Sequence, residues 1–563
     1  MRGCPAAEQV TSVDHIETQP IDAPAAPCLD RQERKIGIVT AVSGFRLSCL
    51  LSVAEPGSAV SAAYGAAQIG AIVKVPTPRS VAFGFIGSLT LHNSGSEDSV
   101  QSFAVAEIDL LGEMVESRTG APVFARGVSV FPVLGSAVFG ANPADLSLIY
   151  ARPSAWNLPI GTIHQNAAQP AYLLSQEFLC KHSAILGTTG SGKSCAVTLI
   201  LRSLLTAHPN GHVVLLDPHG EYATAFAGMA EIITPQNLQL PYWLLSFEEI
   251  AEVLCSRDPA SRSREEGILK DLIVLAKRDF IGEGGQDAFI TVDTPVPYRI
   301  NTLAQRISEA MGRLDKPDST LPYLRLLTTI ENLRKDRRYA FMFSGLTVRD
   351  NMAEILSRIL RIPVEGKPIT IFDISVIPSE IVEVVVALLC RLVFDFALWS
   401  DHSESIPVLL VCDEAHRYIH ADHSIGFEPA RRSIARIAKE GRKYGVSLCL
   451  VSQRPSEISE TILSQCSTIF ALRMSNDKDQ SFVRRTLPES AAGLLNILPA
   501  LRQQEAIVVG EGVSHPMRIR FADLAEAHRP RGESTNFPQA WQEDSNTRDF
   551  TARIVERWRR QAR

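Results

Sequence analysis

The string GTTGSGKS at residues 187–194 sets glycines, a lysine and a hydroxyl in the order that grips a phosphate. Gly187, Gly190 and Gly192 let backbone N–H groups curl around phosphate oxygens, and a helix starting there adds the positive end of its dipole. The expected contacts run through Gly187, Thr188, Thr189, Gly190, Ser191, Gly192, Lys193, Ser194 and Cys195. Lys193 should meet the β and γ phosphates of ATP, and Ser194 should place its hydroxyl on Mg2+. A strand-like run, HSAILG, precedes the string and a helix-like run, CAVTLILRSLL, comes after it. That context separates a nucleotide loop from an ordinary Gly/Ser turn.

A second constellation is PVLLVCDEAHRYI, an apolar run ending in Asp413–Glu414. An acid at the carboxyl end of a strand beside a phosphate loop can hold the Mg2+ shell, and an adjacent carboxylate can take a proton from an attacking water. Phosphotransferases need the first acid but not the second, because their acceptor brings its own nucleophile. The pair therefore points to hydrolysis, although two acids could also cap a following helix. Farther on, KEGRKYGVSLCLVSQRPSEI leads a basic helix end into a strand that stops at Gln453, where an uncharged amide can orient water or sense the γ-phosphate. Arg436, Arg442 and Lys443 lie too far along to fold back onto the same phosphate, yet one of them could reach a neighbour's. For any single arginine, a solvated helix face gives the same sequence.

These residues need elements to hold them. The chain has 563 residues, 45% hydrophobic and 21% charged, which is the balance of a folded globular protein with a sizeable core. Its formal charge of −6 excludes indiscriminate coating of nucleic acid, so any DNA contact must be local. Ten cysteines lie scattered without C-x-x-C spacing, several inside apolar runs, which fits thiols packed as small hydrophobes in a reducing cytoplasm. No run approaches the roughly 20 apolar residues of a membrane span, and the first residues lack a signal-peptide core.

Residues 1–33 read as a flexible leader. Residues 34–151 carry short β-like runs punctuated by Gly, Ser, Pro and Asn, as in a small barrel or sandwich; the last of them is GVSVFPVLGSAVF. A connecting stretch, RPSAWNLPIGTIHQ, leads into alternating strand-like and helix-like runs, the sign of an α/β core on a parallel sheet. HSAILG, HVVLLD, PITIFDIS, PVLLVCDE, VSLCLVSQ and STIFALR supply its buried strands within residues 152–240 and 366–490, and residues 241–365 form an α-helical insertion. Residues 491–563 offer a β-hairpin and a final helix on which Phe550, Ile554 and Trp558 share one side, a face expected to pack on its own domain.

Taken together, GTTGSGKS, LLDPHGEY (215–222), LLVCDEAHRYI, KEGRKYGVSLCLVSQRPSEISETILSQC and RMSNDKDQ resemble the HerA group of the HerA–FtsK hexameric ATPases. The N-terminal β-rich region resembles, more weakly, the HAS barrel of that group. The resemblance implies a RecA-like P-loop core behind a barrel, assembled as a homohexamer that hydrolyses ATP with Mg2+ and moves double-stranded DNA through its channel. It maps Lys193 and Ser194 onto nucleotide and metal, Asp413 and Glu414 onto metal and catalysis, Gln453 onto the γ-phosphate sensor and Arg442 onto the arginine acting in trans. Asp217, His219 and Glu221 match a family string without an assigned role, and Asp217 could simply end its strand and cap the next segment. Family members work with an effector docked on the barrel: a NurA-like nuclease in DNA-end resection, or a sirtuin-like NAD hydrolase or nuclease in anti-phage systems.

A second reading keeps the same core as a ring that scaffolds and regulates an effector, with hydrolysis as a timer. LRKDRRYAF (333–341) and Arg431–Arg432 are the candidate DNA-phosphate contacts, although exposed helix charges give the same pattern. A guanine-reading site is excluded, because NDKD (476–479) has its lysine in the wrong place for N-K-x-D.

Overall fold

The computed structural model describes residues 35–51, 67–94, 101–116, 120–237, 240–282, 289–312, 317–343, 348–377, 379–401, 403, 405–422, 426–487, 491–531, 541–542 and 548–560. The expected leader lies outside them. The chain divides into two units, Met1–Ala141 and Asn142–Arg563.

In the first unit the strands are β1 (Lys35–Ser43), β2 (Arg46–Leu51), β3 (Ile72–Pro76), β4 (Val81–Ser94), β5 (Gln101–Glu116), β6 (Pro122–Arg126) and β7 (Ala137–Gly140). They run in the order β2-β1-β7-β3-β4-β5-β6, and an additional pairing of β2 with β5 closes six of them into a barrel with β6 as an appendage on β5. Ile108 of β5 shows the closure directly, since it lies opposite Leu47 on one side and Ile86 on the other. Register shifts at Phe83/Gly84 and Ile86/Ser88 let β4 and β5 bend enough to wrap around. Val39, Leu47, Val73, Val75, Ile86 and Ala106 fill the interior. The apolar run 127–139 is strand only at its end: Phe131, Val133 and Leu134 are exposed in a loop before β7. Hydrophobicity alone mimics a strand there.

The second unit is built on an eleven-stranded sheet, ordered β12-β13-β11-β14-β15-β10-β16-β17-β18-β8-β9. Its members are β8 (Asn157–Ile163), β9 (Asn166–Leu174), β10 (His182–Leu186), β11 (Val213–Asp217), β12 (Ala230–Ile233), β13 (Ile369–Asp373), β14 (Val408–Cys412), β15 (Val446–Ser452), β16 (Cys466–Leu472), β17 (Glu505–Gly510) and β18 (Met517–Phe521). From β12 to β16 every pairing is parallel. Every residue of β10, β11, β14 and β15 is buried, which is why these strands read as unbroken apolar runs: helices cover both faces. The central cover is the helix Ser379–Trp399, with Val385, Ala387, Leu388, Leu389 and Val393 fully enclosed. A RecA-like α/β core and a small N-terminal barrel are thus both present.

Three features depart from the sequence reading. The presumed connector at residues 152–165 contains β8, which pairs with β18 across more than 350 residues and buries Ile160 and Ile163. The C-terminal hairpin, set outside the α/β core by its sequence, joins that core: β17 pairs antiparallel with β16 and extends the main sheet. On the terminal helix Arg548–Arg560, Phe550, Ile554 and Trp558 are 40%, 43% and 78% exposed, so its apolar side is partly open to solvent rather than buried in a core.

Between Pro241 and Glu365 lie the helices Phe247–Leu254, Pro259–Ile281, Ile300–Met311, Pro317–Lys335 and Met352–Leu360. Ser246 and Glu249 cap the first reciprocally, and Glu249 then holds Arg391 of the central helix at 2.9 Å, tying the helical region to the core.

Candidate functional site

The parallel register puts the ends of four strands at one level. Leu186 of β10 lies opposite Ser452 of β15, Cys412 of β14 lies opposite Leu450, and Leu216 of β11 lies opposite Cys412. Gly187, Gln453 and Asp413 come next in their segments and Asp217 is the last residue of β11, so the sequence-predicted groups converge at the carboxyl ends of β10, β15, β14 and β11, where α/β folds bind ligands.

The phosphate loop is pre-shaped by its own contacts. Gly190 and Gly192 have φ of 73° and 103°, a region costly for any side chain. The carbonyl of Thr188 accepts from the Ser191 amide at 3.2 Å, the Ser191 hydroxyl at 2.7 Å and Lys193 Nζ at 3.1 Å. Thr188 itself is anchored outward, its amide and hydroxyl both donating to the Arg473 carbonyl at 3.0 Å. Lys193 opens the helix Lys193–Ala207 and is 9% exposed; burial lowers its pKa, against the upward pull of Glu414, Asp413 and Glu221. Its ammonium therefore sits within electrostatic reach of all three carboxylates. Cys195, next along the helix, is half-buried.

Asp413 is buried, and desolvation together with the neighbouring Glu414 charge raises its pKa to about 7. Glu414 has φ 50°, a left-handed conformation that a non-glycine residue adopts at a cost and that clusters at functional sites. That turn points the two consecutive carboxylates differently. Glu414 Oε1 lies 3.7 Å from His219 Nε2 and Oε2 lies 3.2 Å from His416 Nδ1, an approach close in distance but not aligned as a hydrogen bond. His416 Nδ1 is also 3.3 Å from the Ser452 hydroxyl, and burial lowers the pKa of its ring. Gln453 touches the loop directly, its side-chain oxygen accepting from the Thr189 hydroxyl.

Arg442 sits elsewhere. It lies in the turn Gly441–Tyr444, exposed, before the amino end of β15. Seven strand residues at about 3.3 Å each put roughly 20 Å between that end and the phosphate loop of the same chain. Arg436 is engaged, stacked 4.4 Å over the Phe394 ring and facing Asp395.

Asp217 accepts from the amides of His219 and Tyr222, so it does fasten the turn after β11. That turn carries Tyr222, whose hydroxyl donates to Asp413 at 3.1 Å. Tyr222 and His416 were not picked out from the sequence, although each stands inside a string already noted, LLDPHGEY and LLVCDEAHRYI. Of the proposed DNA contacts, Lys335, Arg338, Arg431 and Arg432 are paired with Glu331, Asp336, Glu428 and Glu248 respectively, which leaves those charges less available to phosphate.

The donor set suits Mg2+: Ser194 and Asp413 offer hard oxygens, and among the described residues no group of three or more His, Cys, Asp or Glu could hold a metal unaided. That ion characteristically relies on one or two protein oxygens plus nucleotide phosphates and water.

Fold and site define a RecA-like P-loop ATPase. Residues 158–393 match the family described as Helicase HerA, central domain. The DNA double-strand break repair helicase HerA of Pyrococcus furiosus is 26% identical over 431 residues, covering 71% of this chain and 75% of that one. Its counterpart from Sulfolobus acidocaldarius is 26% identical over 416 residues, covering 73% and 77%. Among solved structures, the plasmid coupling protein TrwB in complex with the ATP analogue ADPNP superposes with a TM-score of 0.47 at 14% identity, over 70% of this chain and 95% of that one. Residues 158–393 are thus similar to the HerA central domain, and about 70% of the chain is similar to HerA helicases. No helix among the described residues is long and apolar enough to cross a membrane.

Proposed function

We propose that this chain is the motor subunit of a homohexameric ring that hydrolyses ATP with Mg2+ and drives double-stranded DNA through its centre. The observation that carries the reading is the convergence of Lys193, Ser194, Asp413, Glu414 and Gln453 at the ends of adjacent parallel strands. Lys193 and the loop amides would hold the β and γ phosphates. Ser194 and Asp413 would hold Mg2+, which neutralises phosphate charge when bound. Glu414 takes the proton of the attacking water, and Gln453 orients that water. Arg442 serves the site of the adjacent protomer, since its own is out of reach.

We further propose that the ring works in the cytoplasm with an effector docked on the barrel unit, either a NurA-like nuclease in DNA-end processing or an NAD hydrolase or nuclease in anti-phage defence. The curated relatives named as break-repair helicases support the DNA-directed reading. The test is ATP turnover by the full chain with and without duplex DNA, alongside particle mass. Stimulation by duplex in a six-subunit particle is expected. Activation by an effector alone, with no response to DNA, replaces the pump with a regulatory scaffold.

A further inference from the structure

Tyr222 is among the largest fully enclosed side chains of the molecule, with no exposed surface. Its hydroxyl is nevertheless not lost in hydrocarbon. Oη donates to Asp413 Oδ2 at 3.1 Å. A phenol has one proton to give, and here it goes to the carboxylate that would hold Mg2+.

The backbone delivering that phenol is itself fixed. The Tyr222 amide donates to Asp217 Oδ2 at 3.0 Å and the His219 amide to Asp217 Oδ1 at 3.2 Å. Asp217 ends β11, which pairs in register with β14, the strand that leads into Asp413. The tyrosine therefore reaches across from the neighbouring strand, its ring fully enclosed.

We propose that Tyr222 is a positioning residue for the metal–nucleotide complex, its hydroxyl holding the Asp413 carboxylate so that Mg·ATP meets a preset oxygen. Groups one step removed from a metal fix the orientation of its ligands, and their loss typically weakens metal affinity about 10- to 100-fold. The inference rests on the reading of Asp413 as part of the Mg2+ side of the site.

The experiment is equilibrium binding of ATP to the full chain, without turnover, in EDTA and in excess Mg2+. The wild type is expected to bind Mg·ATP more tightly than ATP alone. Tyr222→Phe, one oxygen smaller, keeps the EDTA affinity within about two-fold and loses about ten-fold or more of the Mg2+ advantage. Asp413→Asn loses that advantage too, and the double variant loses no more than Asp413→Asn alone. An unchanged Mg2+ advantage in Tyr222→Phe overturns the inference, as does equal weakening with and without the metal. A second measurement covers a variant that fails to fold: 3-fluorotyrosine at position 222 keeps the hydroxyl, and its fluorine resonance must shift with Mg·ATP but not with ATP in EDTA. Absence of that difference also overturns it. A wild type that binds no ATP at all, or binds it without regard to Mg2+, overturns instead the reading on which the inference rests.

Discussion

The hydroxyl of Thr189, inside the phosphate loop, is hydrogen-bonded to the side-chain oxygen of Gln453 at the end of the adjacent strand. The sensor and the loop it would monitor are thus joined directly, side chain to side chain. Gln453→Ala should leave ATP affinity within a few-fold and lower kcat by about 10- to 100-fold. Paired titrations of binding and steady-state turnover check this, and a purely KM-type defect would remove Gln453 from the hydrolytic step.

Asp413 meets the Tyr222 hydroxyl while Glu414 faces the rings of His219 and His416, which gives the two acids separable roles. Glu414→Gln should bind ATP normally and turn it over at least about 100-fold more slowly, trapping the loaded form. Lys193→Ala should instead lose the nucleotide itself. Turnover by Glu414→Gln at the wild-type rate would reassign the base.

Arg442 lies at the wrong end of β15 for its own site. Arg442→Ala should therefore be inactive as a uniform ring. Mixed with a Lys193→Ala protein, it should regain activity at interfaces where an intact arginine faces an intact loop. Turnover measured across mixing ratios decides this, and no recovery at any ratio removes the role in trans.

Lys277, in the helical region, is 2% exposed and donates to the carbonyls of Val292 and Thr294 at 2.5 and 2.7 Å. Burial brings its pKa down to about 8, with Asp293 opposing. The unfolded chain keeps this proton to about pH 10.4. Between those values unfolding takes up a proton, so the lysine's contribution to stability rises with pH, by up to about 1.4 kcal/mol per pH unit. Lys277→Met lacks that slope. The melting temperature of the wild type minus that of the variant should climb from pH 8 to about 10.4, and a flat difference would place the lysine's pKa near its ordinary value.

The strands that carry the site, β10, β11, β14 and β15, were legible because burial on both faces writes an unbroken apolar run, and the chemistry sits just past each run's end. β8 was not legible: Pro159 and Gly161 interrupt it, and its partner β18 is supplied by a segment far along the chain. Nor could the chain announce that the phenol of Tyr222 points at Asp413, since that depends on β11 and β14 being neighbours. Helical spacing of Phe550, Ile554 and Trp558 revealed an amphipathic side but not its covering. The loop ending at β7 misled for the opposite reason, being apolar without being paired.

β15 is hydrogen-bonded along both edges, to β14 and β10, and no residue of it reaches the surface. Gln453 comes directly after its last residue and Arg442 stands just before its first. On the proposed assignment, the group that would reach a neighbour and the group that would sense the local phosphate therefore stand at opposite ends of one seven-residue strand, so a change in that strand's position would be felt on both sides.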